Sequence, residues 1–350
     1  MLKYIQEGAN YEEAFCPLPY TKMIINAYGD ITMCCHIGSE KLGNVLRDDL
    51  LEVWKSKKAE KIRKDTSNNV LARPCSNAPN CPFHMKKKIP FSFEVDPDYP
   101  IYLEICLPAT HCNIGGKKPT SKTACLMCIR SHSMPWDQID ITDKICEKIK
   151  PLLPHIKKFC VLGIAEPFWK DEVFRIFEMI NFKSYKDNIT FETNHNVTCF
   201  GERTQDRFLK EVCKSNLQFS LDAATPETYV KIRRLDAYDL CIKNLKSWMK
   251  KKNFRHKVTI WNNINMLNVH EMKQMVQVAI DLNVESIYML PTHNQNNKVH
   301  LSEIIINEKN VHIFQKNSIE AMELAKANKL DLRYVTPFDI IPPSNKKLKL

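Results

Sequence analysis

The chain has 350 residues, 44% of them hydrophobic and 26% charged, which is enough for two or three folded domains and excludes wholesale disorder. Its net charge of +11 comes from lysines scattered in short runs, a pattern that suits a solvated surface better than a dedicated polyanion site. No apolar run approaches the roughly 18–20 residues of a membrane span. The start MLKYIQEGANYEEAF has no apolar core of a secretory signal, so a cytoplasmic protein is expected. Fourteen cysteines in a reducing compartment then point to metal ligands or catalytic thiols and away from structural disulfides.

The first five cysteines, Cys16, Cys34, Cys35, Cys75 and Cys81, lie within the first 81 residues. Between them, MIINAYGDITMCC predicts a hairpin turning near Tyr28-Gly29-Asp30, which returns the chain and carries Cys34 towards Cys16. DDLLEVWKSKKAEKIRK predicts one amphipathic helix starting at Asp48 or Asp49. Cys75 and Cys81 bracket a turn of Asn, Ala and Pro. Four thiols from this set, with Cys34 or Cys35 as the second, could hold a zinc ion or an iron–sulfur cluster, since the two look alike in sequence. His36 and His84 read as surface histidines, and Trp54 as packing.

The segment MKKKIPFSFEVDPDYP reads as a linker, and a regular alternation follows it. Strands are predicted at 101–107, 158–164, 188–194, 217–222, 257–265 and 284–290. Helices are predicted between them over 141–153, 170–180, 202–213, 237–251 and 269–282, with Asp140 and Asn268 as start signals for the first and last. VHIFQKNSIEAMELAKANK reads as a final helix, LDLRYV as a short strand, and residues 336–350 as a basic tail. Strand and helix in alternation imply parallel strands joined by right-handed crossovers. The expected fold is therefore α/β, a partial (β/α)6 TIM-like barrel over 96–335, preceded by a small cysteine-rich α+β domain over 1–95.

The first barrel strand leads into EICLPATHCN, a basic loop, and CLMCIR. Cys112, Cys125 and Cys128 thus form C-x12-C-x2-C, and a C-x2-C turn aims two sulfurs at one metal centre. Zinc completed by Cys106 or His111 and a three-cysteine iron–sulfur cube both fit this pattern. The next strands end in LGIAEPFWKDE, ETNHN and FSLDAATPETYVKIRR. In an α/β barrel the carboxyl ends of the strands share one mouth, which would gather Glu166, Asn194, Ser220, Asp222 and Arg233 beside the three cysteines.

These residues resemble the radical S-adenosylmethionine (SAM) superfamily over about 99–335. The resemblance implies a 4Fe-4S cluster on Cys112, Cys125 and Cys128 whose open iron takes the methionine end of SAM. It further implies Glu166 of Gly163-Ile164-Ala165-Glu166-Pro167 at the methionine amino group, Ser220 and Asp222 near the ribose and methionine, and Arg233 at the carboxylate. The cluster loop is longer than usual in that family, Met127 replaces the usual aromatic residue, and Ile164-Ala165 replaces a glycine pair. The N-terminal pattern, with Gly43, Asn44, Glu52 and Trp54, resembles the SPASM/twitch module and implies a second, auxiliary 4Fe-4S cluster on Cys16, Cys34 or Cys35, Cys75 and Cys81. Here the module precedes the barrel, and Ala72 and Met85 stand where further cysteines are usual.

The activity so implied is reductive cleavage of SAM and hydrogen abstraction from a peptide, protein or small-molecule substrate, with an electron donor of flavodoxin or ferredoxin type. A nucleic-acid-modifying enzyme is the alternative that the +11 charge raises, although no aromatic-interleaved basic patch supports it. A zinc-stabilised interaction protein is the non-enzymatic alternative. The remaining cysteines, Cys106, Cys146, Cys160, Cys199, Cys213 and Cys241, read as small buried hydrophobes.

Overall fold

A computed structural model describes residues 3–4, 16–34, 40–67, 94–96, 98–108, 112–114, 124–128, 139–163, 166–292 and 299–334. Cys35, Cys75 and Cys81, the two histidines His36 and His84, Ile164-Ala165 and the basic tail lie outside the described residues. Contacts divide the chain into two compact units, one of residues 1–108, 138–163 and 175–190, the other of 109–137, 164–174 and 191–350. Among the described residues no helix is long and apolar enough to cross a membrane.

In the first unit, β1 (Lys3–Tyr4) pairs antiparallel with β5 (Glu94–Val95), so part of the segment read as a linker forms a strand. The other strands are β2 (Lys22–Ile25), β3 (Asp30–Thr32), β4 (Gly43–Asn44), β6 (Tyr102–Leu107) and β7 (Lys158–Gly163), in the order β7-β6-β2-β3-β4. β2, β3 and β4 pair antiparallel, whereas β2 runs parallel to β6 and β6 to β7. The β2–β3 hairpin is the one expected. Gly29 takes φ +81°, and the Asn26 side chain accepts from the Tyr28 and Asp30 amides at 2.9 and 3.0 Å.

The single amphipathic helix expected after it is two helices, Leu50–Trp54 and Lys57–Ser67. Asp49 caps the first, accepting from the Leu51 and Glu52 amides, while Asp48 accepts from the Asn44 amide at 2.7 Å. Ser56 makes the break, since its hydroxyl accepts from the Ala59 amide at 3.3 Å and starts a second helix. Trp54 is buried beneath the Arg63 guanidinium, 4.2 Å from the ring centroid. On β6, Leu103, Ile105 and Leu107 face a closed core. Glu104 on the opposite face is buried against Lys22 at 2.7 Å, with the Cys106 sulfur 3.7 Å away.

The second unit carries β8 (Thr190–Asn196), β9 (Ser215–Ser220), β10 (His256–Ile264), β11 (Ser286–Pro291) and β12 (Asp331–Tyr334) in sequence order, each pairing parallel with the next. Helices Glu202–Glu211, Tyr238–Lys251, Met272–Asp281 and Val311–Ala327 alternate with the strands. The α/β class and the strand–helix alternation of a partial barrel are as expected. A further helix, Pro226–Arg233, was not foreseen; Thr225 caps it and Pro226 opens it. Phe168, Phe200, Phe208, Phe219 and Trp248 pack edge-on around the buried His195 and Phe191, which anchors the strands from one side.

Asn268 does not cap a helix by its side chain as expected. Its amide donates to the Asp222 and Asn263 carbonyls at 2.7 and 2.8 Å and so ties two strand ends together. Asp140 does accept from the Thr142 amide, at 3.0 Å. Of the six cysteines expected to be buried, Cys146, Cys160 and Cys241 are, while Cys106, Cys199 and Cys213 are partly exposed.

Candidate functional site

The expected site residues that the structure describes beyond the first unit fall into two clusters at the strand ends of the second. The first is built on Arg233, at the last turn of helix Pro226–Arg233. Its guanidinium pairs with the fully buried Asp222 and donates to the Cys125 sulfur at 3.7 Å. The Leu126 amide donates to the Ile232 carbonyl at 2.8 Å, so the backbones of the cysteine turn and the helix end are joined as well. Cys128 closes that turn by donating its amide to the Cys125 carbonyl at 2.9 Å.

Arg233 is buried. Burial opposes its charge, but Asp222 and Cys125 outweigh that and hold its pKa well above the ordinary value. Burial pushes the Cys125 thiol up, and the guanidinium pulls it back towards thiolate. Asp222 is held from the other side by the Asn263 amide and side chain at 2.8 and 3.2 Å.

The second cluster is built on Glu166, which is 2% exposed. One carboxyl oxygen accepts from the Phe168 amide at 3.2 Å and the other from the Asn196 amide at 2.6 Å. Burial raises its pKa to about 8, against the pull of those two amides and of Arg233. The Asn196 side chain in turn donates to Asn113 at 2.7 Å, and Asn113 donates to the Thr198 hydroxyl at 2.9 Å. Asn113 is the neighbour of Cys112, so the carboxyl and the first cysteine of the motif share one polar chain. Asn194 and Ser220 meet each other, hydroxyl to amide oxygen, at 2.7 Å.

Asn113, Asn196, Thr198 and Asn263 carry no sequence signal of their own, because asparagine at a strand end is an ordinary turn residue. Glu271 was missed for the same reason. Buried, it accepts from the Ala224 amide and the Thr225 hydroxyl, both at 2.7 Å, and fixes the turn after Asp222.

Could these residues hold an iron–sulfur cube? Among the described residues no three His, Cys, Asp or Glu side chains converge as closely as one metal ion requires. A cube places each thiolate on a different iron, so its ligands need not meet at a point. The donor set suits such a group: three thiols, with a buried cation beside one of them. Among the described residues the Arg233 Nε is also buried without a hydrogen-bond partner, a donor that a bound group could use. Cys16 and Cys34 are described, but the rest of the N-terminal ligand set is not.

A sequence model of the SPASM family, an iron–sulfur cluster-binding domain, matches residues 16–82. The fold is similar to that of Streptococcus suis SuiB bound to S-adenosylmethionine, with 13% identity, a TM-score of 0.50, and 89% of this chain and 71% of that one covered. This chain shares the fold of that S-adenosylmethionine-bound protein, and its residues 16–82 match the SPASM family. Two further structures are similar at lower scores. One is anSMEcpe with AdoMet and Cp18Cys peptide (15% identity, TM-score 0.49, 67% and 63% covered), and the other a radical SAM methyltransferase from Sphaerobacter thermophilus (12%, 0.48, 68% and 67%). No curated protein sequence matches it.

Proposed function

We propose that the protein is a cytoplasmic radical SAM enzyme that acts on a peptide or protein. In this reading residues 1–95 hold an auxiliary cluster, 96–335 form the catalytic barrel, and 336–350 are a tail. Cys112, Cys125 and Cys128 would hold a 4Fe-4S cluster, and the chemistry it would supply is one-electron reductive cleavage of SAM to methionine and a 5′-deoxyadenosyl radical able to take a hydrogen atom from the substrate.

The chain's own residues bind and orient. Arg233 is the cation for the SAM carboxylate, and Asp222 keeps it charged and fixed in a buried setting. Glu166 receives the SAM ammonium, and because it is protonated at neutral pH in the SAM-free protein, it gives up a proton as the cation arrives. Asn194 and Ser220 offer an amide and a hydroxyl oxygen to the ribose. An external donor of flavodoxin or ferredoxin type supplies the electron.

The observation that carries this reading is Arg233, joined at once to Asp222 and to the sulfur of Cys125. The peptide class is supported by SuiB, whose fold this chain shares and which was solved also with its precursor peptide SuiA. The test is anaerobic reconstitution and reduction. About eight irons per chain with matching sulfide are expected for two cubes, about four for one, and 5′-deoxyadenosine should form from SAM. Cys125→Ala should abolish that product. Zinc without sulfide, or no 5′-deoxyadenosine from the wild type, would reject the proposal.

A further inference from the structure

The sheet of the second unit has two unlike faces. Leu217, Phe219, Ile260 and Met289 point one way and are fully buried. The residues between them are part-exposed and mostly polar: Asn216, Gln218 and Ser220 on β9, and Thr259, Trp261 and Asn263 on β10. Parallel sheets are ordinarily covered on both faces and read as continuous apolar runs, so this polar face is built to meet something other than core.

The register sets the groups in rows across the strands. Asn194, Gln218 and Thr259 form one row, and Ser220, Trp261 and Tyr288 the next. Part of the hydrogen-bonding capacity is spent internally, Ser220 on Asn194, Thr259 on Ser286, and Asn216 on Glu192. Part of it is not. Among the described residues the Gln218 amide, the Asn194 NH2, the Trp261 Nε1 and the Tyr288 hydroxyl make no hydrogen bond. Trp261 and Tyr288 stand with ring centroids 4.6 Å apart and planes at 48°, an open aromatic corner one strand from Ser220.

Charge narrows the occupant. Glu192 is bonded to Asn216, and Arg333, level with Tyr288, is held by Asp331 at 2.6 Å. Lys257 is in solvent at the start of β10, two rows away from Trp261. A polyanion would find no row of cations here. An amide chain, which both donates and accepts at every residue, matches the unspent Gln218 amide.

We propose that this face binds the substrate as an uncharged stretch of peptide, with an aromatic side chain against Trp261 and Tyr288 and a backbone amide on Gln218. The inference rests on the peptide reading given above. Aromatic pairs add attraction beyond the area they bury, so the ring should dominate selectivity and the amide should set direction.

The experiment selects binders from a randomised peptide display library on the reconstituted, SAM-loaded protein. Enriched sequences should carry an aromatic residue in a segment of near-zero charge. The best peptide should bind about ten-fold more weakly to Trp261→Ala and within about three-fold to Trp261→Phe, which keeps the ring. Tyr288→Leu reads the same subsite if Trp261→Ala does not fold. Several outcomes would overturn the inference: no enrichment, acidic or basic winners, tighter binding of a uridine oligonucleotide, or equal affinity in the Ala variant. SAM affinity measured on the same variants adds one more, because its loss with peptide binding intact would give the corner to the nucleotide. The peptide-free 5′-deoxyadenosine assay on the wild type separates failure of this inference from failure of the radical SAM reading.

Discussion

The N-terminal cysteine segment and the strand-end site of the second unit hold their thiols by different means. In the first, Cys16 and Cys34 flank elements of three or four residues, placed by backbone turns at Asn26 and Gly29. In the second, Cys125 is met by Arg233, itself paired with Asp222, and the two hang from a helix end and a strand end over a fully buried aromatic core. Met23, Ile24, Ile25 and Ile31 of the first region are buried, but elements this short bury less apolar area than a large core, so that region is expected to lean more on a bound metal. The expected difference is between a fold that depends on metal and one that does not.

Removing metal should break the comparison most visibly. Anaerobic chelation is expected to open residues 16–82 to protease while amide exchange over 190–292 stays slow. Uniform opening of both would show that the two regions are not independent in stability. Next in size is Arg233→Ala, which strands the buried Asp222 and should cost about 3–5 kcal/mol in urea unfolding. Adding Asp222→Asn should recover part of that loss, and no recovery would mean that the pair is not coupled.

Glu166 gives a smaller effect with a definite sign. Its folded pKa, about 8, lies above the ordinary carboxyl value of 4.5, so the folded state holds a proton that the unfolded state releases. Stability of the SAM-free protein from this group is full below pH 4.5 and is lost as pH rises towards 8, at up to about 1.4 kcal/mol per pH unit. Glu166→Gln should flatten that slope in unfolding measured from pH 5 to 8; an unchanged slope would assign it elsewhere. His195, held neutral by burial with its pKa lowered to about 3, acts at the other end, removing stability as pH falls below 6.5.

Smallest is Gly43→Ala in the N-terminal segment. A Cβ there would stand 2.7 Å from Val53 and 2.8 Å from the Asp48 carboxylate that caps the turn. A cost of about 1–3 kcal/mol is expected, confined to that segment's exchange protection. Loss of stability in the second unit as well would dissolve the distinction between the two.

Much of the scaffold was legible in the sequence, because strand and helix periods and turn residues act over a few neighbours. The β2–β3 hairpin, the Asp49 cap and the alternation after residue 100 are all local signals. Where local signals competed, the reading went astray. The apolar spacing of 48–64 spoke for one helix, but Ser56 offers its own cap and divides it. Asn268 looked like a cap and instead spends its amide on carbonyls brought near by the sheet.

The sequence by itself determined the α/β class, the cysteine motif and the short list of charged residues near it, since spacing along the chain is enough to state these. Only the tertiary structure decided which of them touch. Arg233 reaches Cys125 across 108 residues, and Asn196 joins Glu166 to Asn113 across 30 and 83. Those meetings depend on strand register and burial. Burial also turns an ordinary glutamate into an acid protonated at neutral pH, and a helix-end arginine into the buried partner of a cysteine.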